Sequence, residues 1–152
     1  MLKKTGVMTL WLVIGVFCLS SLAQAHCELP CGIYDDAMRI NMLKEHVMTM
    51  EKSMRKVQEL QAKAPQEKNQ LVRWITNKEH HANAFQEIVS QYFLTQRIKP
   101  DSDKYAEKLK VLHQMLVFAM KCKQTVDKDH IKKLYSLIDD FEKLYFGDHE
   151  HD

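Results

Sequence analysis

Glycine and proline are scarce in this chain, with four of the first and three of the second among 152 residues. Turn signals are correspondingly few, and no run of alternating apolar and polar residues suggests a strand. There is no internal repeat and no low-complexity segment, so nothing requires a second domain. Excess charge of one sign is missing too, since 22 basic residues face 20 acidic ones. That balance removes any case for nucleic acid as a partner. A membrane-spanning run is also lacking: the apolar stretch from Val7 to Leu22 is interrupted by Thr9, Gly15, Ser20 and Ser21, short of the roughly 20 residues a bilayer requires.

What stands at the start is a leader. Lys3 and Lys4 precede the apolar stretch, and Ala23-Gln24-Ala25 places small residues where a signal peptidase cuts. Residues 1–25 are therefore expected to be a secretory signal peptide, with the protein exported to a periplasmic or extracellular space and left without a stable membrane anchor after cleavage. Cys18 follows Phe17 rather than a small residue, so it belongs to the discarded segment and not to a lipid-attachment site. Lys3 and Lys4 are the leader's charged residues, and their loss leaves equal numbers of basic and acidic side chains.

Apolar spacing predicts four helices. Ile40, Leu43, Val47, Met50, Met54 and Val57 recur at steps of three and four over about 36–64, which Pro65 ends. Leu71, Ile75, Ala82, Phe85, Val89 and Tyr92 mark a second helix over about 66–98, with Lys78 a polar interruption of the stripe; Pro100 and Asp101 form the next turn. Tyr105, Leu109, Leu112, Leu116 and Ala119 define a third over about 102–122, and Ile131, Leu134, Ile138, Phe141 and Tyr145 a fourth over about 128–146. Four amphipathic helices with short connections predict an all-α, antiparallel four-helix bundle over 36–147. The Asp148-His149-Glu150-His151-Asp152 tail is expected to be flexible, because no rigid element fixes its histidines.

Between leader and bundle lies His26-Cys27-Glu28-Leu29-Pro30-Cys31-Gly32-Ile33-Tyr34-Asp35. Cleavage after Ala25 makes His26 the amino terminus and places an amine, an imidazole and two thiols within six residues. The His26 amine, the Cys27 amide nitrogen and the Cys27 thiolate can close two adjacent five-membered chelate rings, with Cys31 as fourth donor. Because a peptide unit is flat, this set favours planar coordination, which suits Ni(II) or Cu(II) and disfavours tetrahedral Zn(II). Thiolates readily reduce Cu(II), so nickel is the more plausible resident of a redox site. Anionic donors also stabilise a higher oxidation state. The His26 imidazole can bind axially. Pro30 restricts the backbone between the sulfurs, Gly32 can take a positive φ, and Asp35 or Asp36 suits an N-cap. Glu28 fits a capping or surface carboxylate.

His26-Cys27-x-x-Pro30-Cys31-Gly32-x-Tyr34-Asp35 resembles the amino-terminal hook of nickel-containing superoxide dismutase, and Arg39 and Ser90-Gln91-Tyr92-Phe93 are also similar. The resemblance implies one nickel ion per chain, held by His26, Cys27 and Cys31, that cycles between Ni(II) and Ni(III). One superoxide is then oxidised to oxygen and a second reduced to hydrogen peroxide. Tyr34 would stand beside the open face for proton delivery; as a bland alternative it pins the hook onto the first helix. The resemblance further implies a homohexamer with hooks protected at subunit contacts. Two departures stand out. Aligning on Arg39 puts Asn41 where the family has a Glu that supports the axial imidazole, with Glu45 one turn further on, and the supporting Arg falls near His80 or His81. In place of the family's dedicated protease, signal peptidase would expose His26.

Two competing functions use the same letters. An exported nickel or copper carrier would employ these ligands without turnover and without need of Tyr34. A purely structural domain would join Cys27 to Cys31 in a disulfide. Other residues have plain expectations: Met50 and Met54 lie on the core stripe, Met42 and Met48 could face a subunit neighbour, and Cys122 reads as a small buried apolar residue. Adjacent His80 and His81 lie on different helix faces, which argues against their jointly holding a metal.

Overall fold

The computed structural model describes residues 32–62 and 67–147. The hook residues 26–31, the leader and the tail from 148 lie outside them. The chain divides into two units, 1–34 and 35–152. In the first, Gly32 has φ +75°, the left-handed conformation anticipated at that turn. The second is the helical bundle, and it is all-α as expected.

Helix α1 spans Asp36–Gln61. Its N-cap is Asp35, whose Oδ1 accepts from the Met38 amide at 2.8 Å, and Asp36 adds negative charge to the first turn, where the helix dipole favours it. Helix α2 spans Lys68–Glu87 and runs directly into a π-helical segment, Ile88–Arg97. Helices α3 and α4 span Tyr105–Gln124 and Lys128–Phe146. Asp127 caps α4 by accepting from the Asp129 amide at 2.9 Å, and Gly147 follows its end with φ +81°.

Cross-helix contacts fix the directions. Residues early in α1 meet residues late in α2 and late in α4: His46 meets His81, and Lys44 meets Glu142. Later in α1, Ser53 meets Asn77 and Gln58 meets Val126. Gln86 reaches Leu116 while Lys78 reaches Lys123, and Lys108 lies against Tyr145 while Phe118 lies against His130. Each neighbouring pair is thus antiparallel, in the order α1–α2–α3–α4 and back to α1. The core holds Ile40, Leu43, Val47, Met50 and Met54 of α1 against Ala82, Phe85, Leu112, Met115, Leu134 and Phe141, all fully buried. Met50 and Met54 are therefore packing residues; Met48 is 57% exposed and Met42 packs partly against the core.

Four boundary and face expectations change. The second helix is not α-helical to Ile98. From Ile88 onward its turns widen, and Ile98 donates to the Phe93 carbonyl five residues back at 2.9 Å. In this segment Ile88, Val89, Tyr92, Phe93 and Gln96 are buried. The third helix starts at Tyr105 because Lys104 adopts φ +50°. Its buried face is Lys108, Leu112, Met115, Ala119 and Cys122, with Tyr105, Leu109 and Leu116 only partly buried. In α2, Ile75 is 38% exposed, whereas Lys78 is buried.

Lys78 is buried for a reason the apolar stripe does not reveal. Its ammonium donates to the Lys123 carbonyl at 2.6 Å and the Thr125 carbonyl at 2.9 Å, closing the end of α3. There, peptide carbonyls left without intrahelical partners attract a cation. Burial lowers the Lys78 pKa from the ordinary lysine value, and the Glu79 charge opposes that shift. Lys78→Ala should destabilise the bundle by about 2 kcal/mol through loss of these bonds and of packing. Urea unfolding of the variant against the parent checks this.

Candidate functional site

The donor set of the hook is legible only as sequence, because His26, Cys27 and Cys31 lie outside the described residues. The side chains present there nevertheless fit nickel: two thiols and an imidazole lie within six residues, and imidazole and thiolate are donors that nickel takes. Tyr34, the last residue of the first unit, is 41% exposed. Among the described residues, no three His, Cys, Asp or Glu side chains are grouped so as to hold a metal ion. No described helix is long and apolar enough to cross a membrane.

Helix α1 begins at a polar knot centred on Asp36. Arg97 grips the carboxylate in a fork, with Nη2 2.6 Å from Oδ2 and Nε 2.9 Å from Oδ1. The Tyr92 hydroxyl donates to Oδ1 at 2.6 Å and the Tyr145 hydroxyl to Oδ2 at 2.9 Å. The first turn of α1 is thereby tied to the π-helical segment and to the last turn of α4. Phe93 packs edge-on against Phe141 and Tyr145, with ring centroids 4.9 and 5.7 Å away, so the knot rests on an aromatic layer. Arg39 lies over the Tyr92 ring at 5.0 Å and donates to the Met42 sulfur at 3.6 Å.

The charges in this knot support one another. Burial pushes the Asp36 carboxyl up, but the bonds from Arg97, Tyr92 and Tyr145 outweigh it and hold the pKa below the ordinary aspartate value of 3.8. Burial and then the Asp36 bond raise both phenols, Tyr145 to about 12. The Arg97 guanidinium is held charged chiefly by its bond to Asp36.

Asn41 and Glu45 are both exposed on α1. His80 is exposed on α2, while His81 turns toward α1 and meets His46, Nδ1 to Nδ1, at 2.9 Å. Burial first, and neighbouring imidazoles next, lower the pKa of both His46 and His81. Three cations of α1 are engaged locally. Lys44 pairs with Glu142 at 2.6 Å, Lys52 lies 6.0 Å from the Trp74 ring, and Arg55 lies 3.9 Å from Glu59. Cys122 is a fully buried thiol, as anticipated, and burial pushes it up to about 12.

Sequence reasoning missed Asp36 as a knot and Arg97 as its partner. The available signal was an arginine shortly before Pro100, in the chain segment that follows Tyr92. The pairing itself spans 61 positions and is not encoded in any local spacing.

The architecture defines an antiparallel, all-α four-helix-bundle protein. A family model described as nickel-containing superoxide dismutase matches residues 21–149, and the chain belongs to that family. It is accordingly an oxidoreductase acting on superoxide, with nickel as its cofactor. No curated protein matches the chain, and no solved structure does.

Asp36→Asn should cost about 3 kcal/mol at neutral pH by leaving Arg97 without its counter-charge. Because the folded pKa of Asp36 is depressed, its contribution is present above 3.8 and is lost as pH falls through the folded value. The gap between parent and variant should therefore narrow on acidification. Thermal unfolding across that pH range measures it.

Proposed function

We propose that the mature enzyme begins at His26 and dismutes superoxide at a nickel hook formed by His26, Cys27 and Cys31. The supporting observation is the placement of these donors directly after Ala23-Gln24-Ala25, so that one cleavage frees the amine that the chelate requires. On this reading residues 1–25 are removed by signal peptidase, residues 26–35 form the hook, and the enzyme works in the periplasm or outside the cell. Association into a hexamer follows from the family likeness.

The His26 amine and imidazole, the Cys27 amide and thiolate and the Cys31 thiolate would hold one nickel ion per chain. Bound there, nickel supplies one-electron exchange by alternating between Ni(II) and Ni(III). The protein supplies position and protons. Peroxide formation consumes two protons, and the Tyr34 hydroxyl can hold superoxide or an ordered water and pass a proton without a lasting change of charge. Gly32 permits the left-handed turn that follows Cys31. Asn41 would bring no negative charge to an imidazole N–H bond, so a His26 ligand paired with it would be less basic than one paired with a carboxylate.

The deciding experiment measures dismutation, metal content and amino-terminal mass on one sample of the secreted protein. Nickel near one per chain, His26 at the terminus and rapid turnover would support the reading; bound nickel without turnover would point to a carrier. Tyr34→Phe should keep its nickel and lose about tenfold or more in turnover, or change its inhibition by peroxide. Cys31→Ser should abolish the native redox site, and full activity in that variant would reject the mechanism. One residue added before His26 should likewise abolish activity, because the amine then stands outside chelating reach.

A further inference from the structure

Among the described residues, His46 and His81 form an imidazole pair whose ring nitrogens face each other across two helices, and neither residue belongs to the hook's donor set. His46 lies on α1 and His81 on the antiparallel α2, with Nδ1 atoms 2.9 Å apart and rings tilted by 57°. Both side chains are partly exposed, so an ion can reach them from solvent. Their backbones are fixed: the next residues in the chain, Val47 and Ala82, are fully buried in the α1–α2 core, and Asn77 donates to Ser53 across the same seam at 2.9 Å.

We propose that His46 and His81 constitute a second transition-metal site that takes Cu(II) through their two Nδ1 atoms. The separation favours this ion. Two donors at right angles about 2.0 Å from a metal lie roughly 2.8 Å apart, whereas a tetrahedral site spreads them to roughly 3.3 Å. The present spacing matches the edge of a square plane, and copper binds imidazole more tightly than the other divalent first-row ions. In the metal-free pair, one Nδ1 carries the proton and the other accepts it. Binding requires the donor ring to move that proton to Nε2, exposing both Nδ1 lone pairs without releasing a proton to solvent. With two protein donors, water completes the coordination. His80 stands beside His81, ring centroids 5.4 Å apart, and the Glu45 carboxylate acts on both imidazoles, adding negative potential at the site.

The test uses the full mature chain with nickel already bound and with His149→Ala and His151→Ala in the tail, so that neither hook nor tail competes. Cu(II) is added and followed by electron paramagnetic resonance, with nickel content checked afterwards. The expected result is one copper per chain with nitrogen couplings from two imidazoles, and nickel retained. His46→Asn and His81→Asn should each weaken copper binding by about tenfold or more, with circular dichroism showing the helical content of the parent. Undiminished copper binding in the His46→Asn, His81→Asn double variant would overturn the assignment. So would a parent protein that takes up copper only as it loses nickel, or that takes up none.

Discussion

One partly buried carboxylate organises the end of the bundle from which α1 sets out. Asp36 receives a guanidinium fork and two phenols, so four side chains from three elements share one centre of charge. Taking a carboxylate out of water is costly, and that cost is offset only when its oxygens find several donors. Here they find Arg97, Tyr92 and Tyr145, and the two phenols are held in turn by the aromatic layer of Phe93 and Phe141. The widened turns after Ile88 matter to this arrangement. The segment they form buries Tyr92 with Ile88 and Gln96 and ends at Arg97, which grips the same carboxylate.

Other polar groups serve as cross-links between apolar faces. Lys78 closes α3 from α2, Asn77 joins Ser53, and Lys44 joins Glu142. Such bonds add less stability than the core does, but they are directional, and an antiparallel bundle built only of apolar stripes can slide in register. Lys78 illustrates the difference between pattern and packing. In a hydrophobic count it breaks the stripe; in the bundle it is where the stripe of α2 meets the carbonyls of a neighbouring helix.

Much of the architecture was legible because helices announce themselves locally. The stripe of α1, a cap at Asp35 or Asp36 and the bounds of α4 were placed by spacing and capping chemistry alone. The π-helical segment was not, since its sequence is also compatible with an ordinary helix and the choice is made by what Tyr92 and Phe93 pack against. The buried face of α3 was placed only in part, at Leu112 and Ala119, for a related reason: Met115 and Lys108 compete with Leu109 and Leu116 for the core, and only the neighbours decide. For the site, sequence spoke most clearly where chemistry is concentrated in a few consecutive residues, as in His26 to Tyr34. It was silent on Arg97 with Asp36 and on His46 with His81, because contacts between distant positions leave no trace in local periodicity.

Cys122 has a consequence for an enzyme whose product is hydrogen peroxide. Peroxide attacks thiolates, and a thiol with its pKa near 12, enclosed between α3 and the rest of the core, is protonated and screened from solvent. The bundle thus carries sulfur in its interior without offering its own product a target, and oxidative wear is confined to sulfur that meets solvent.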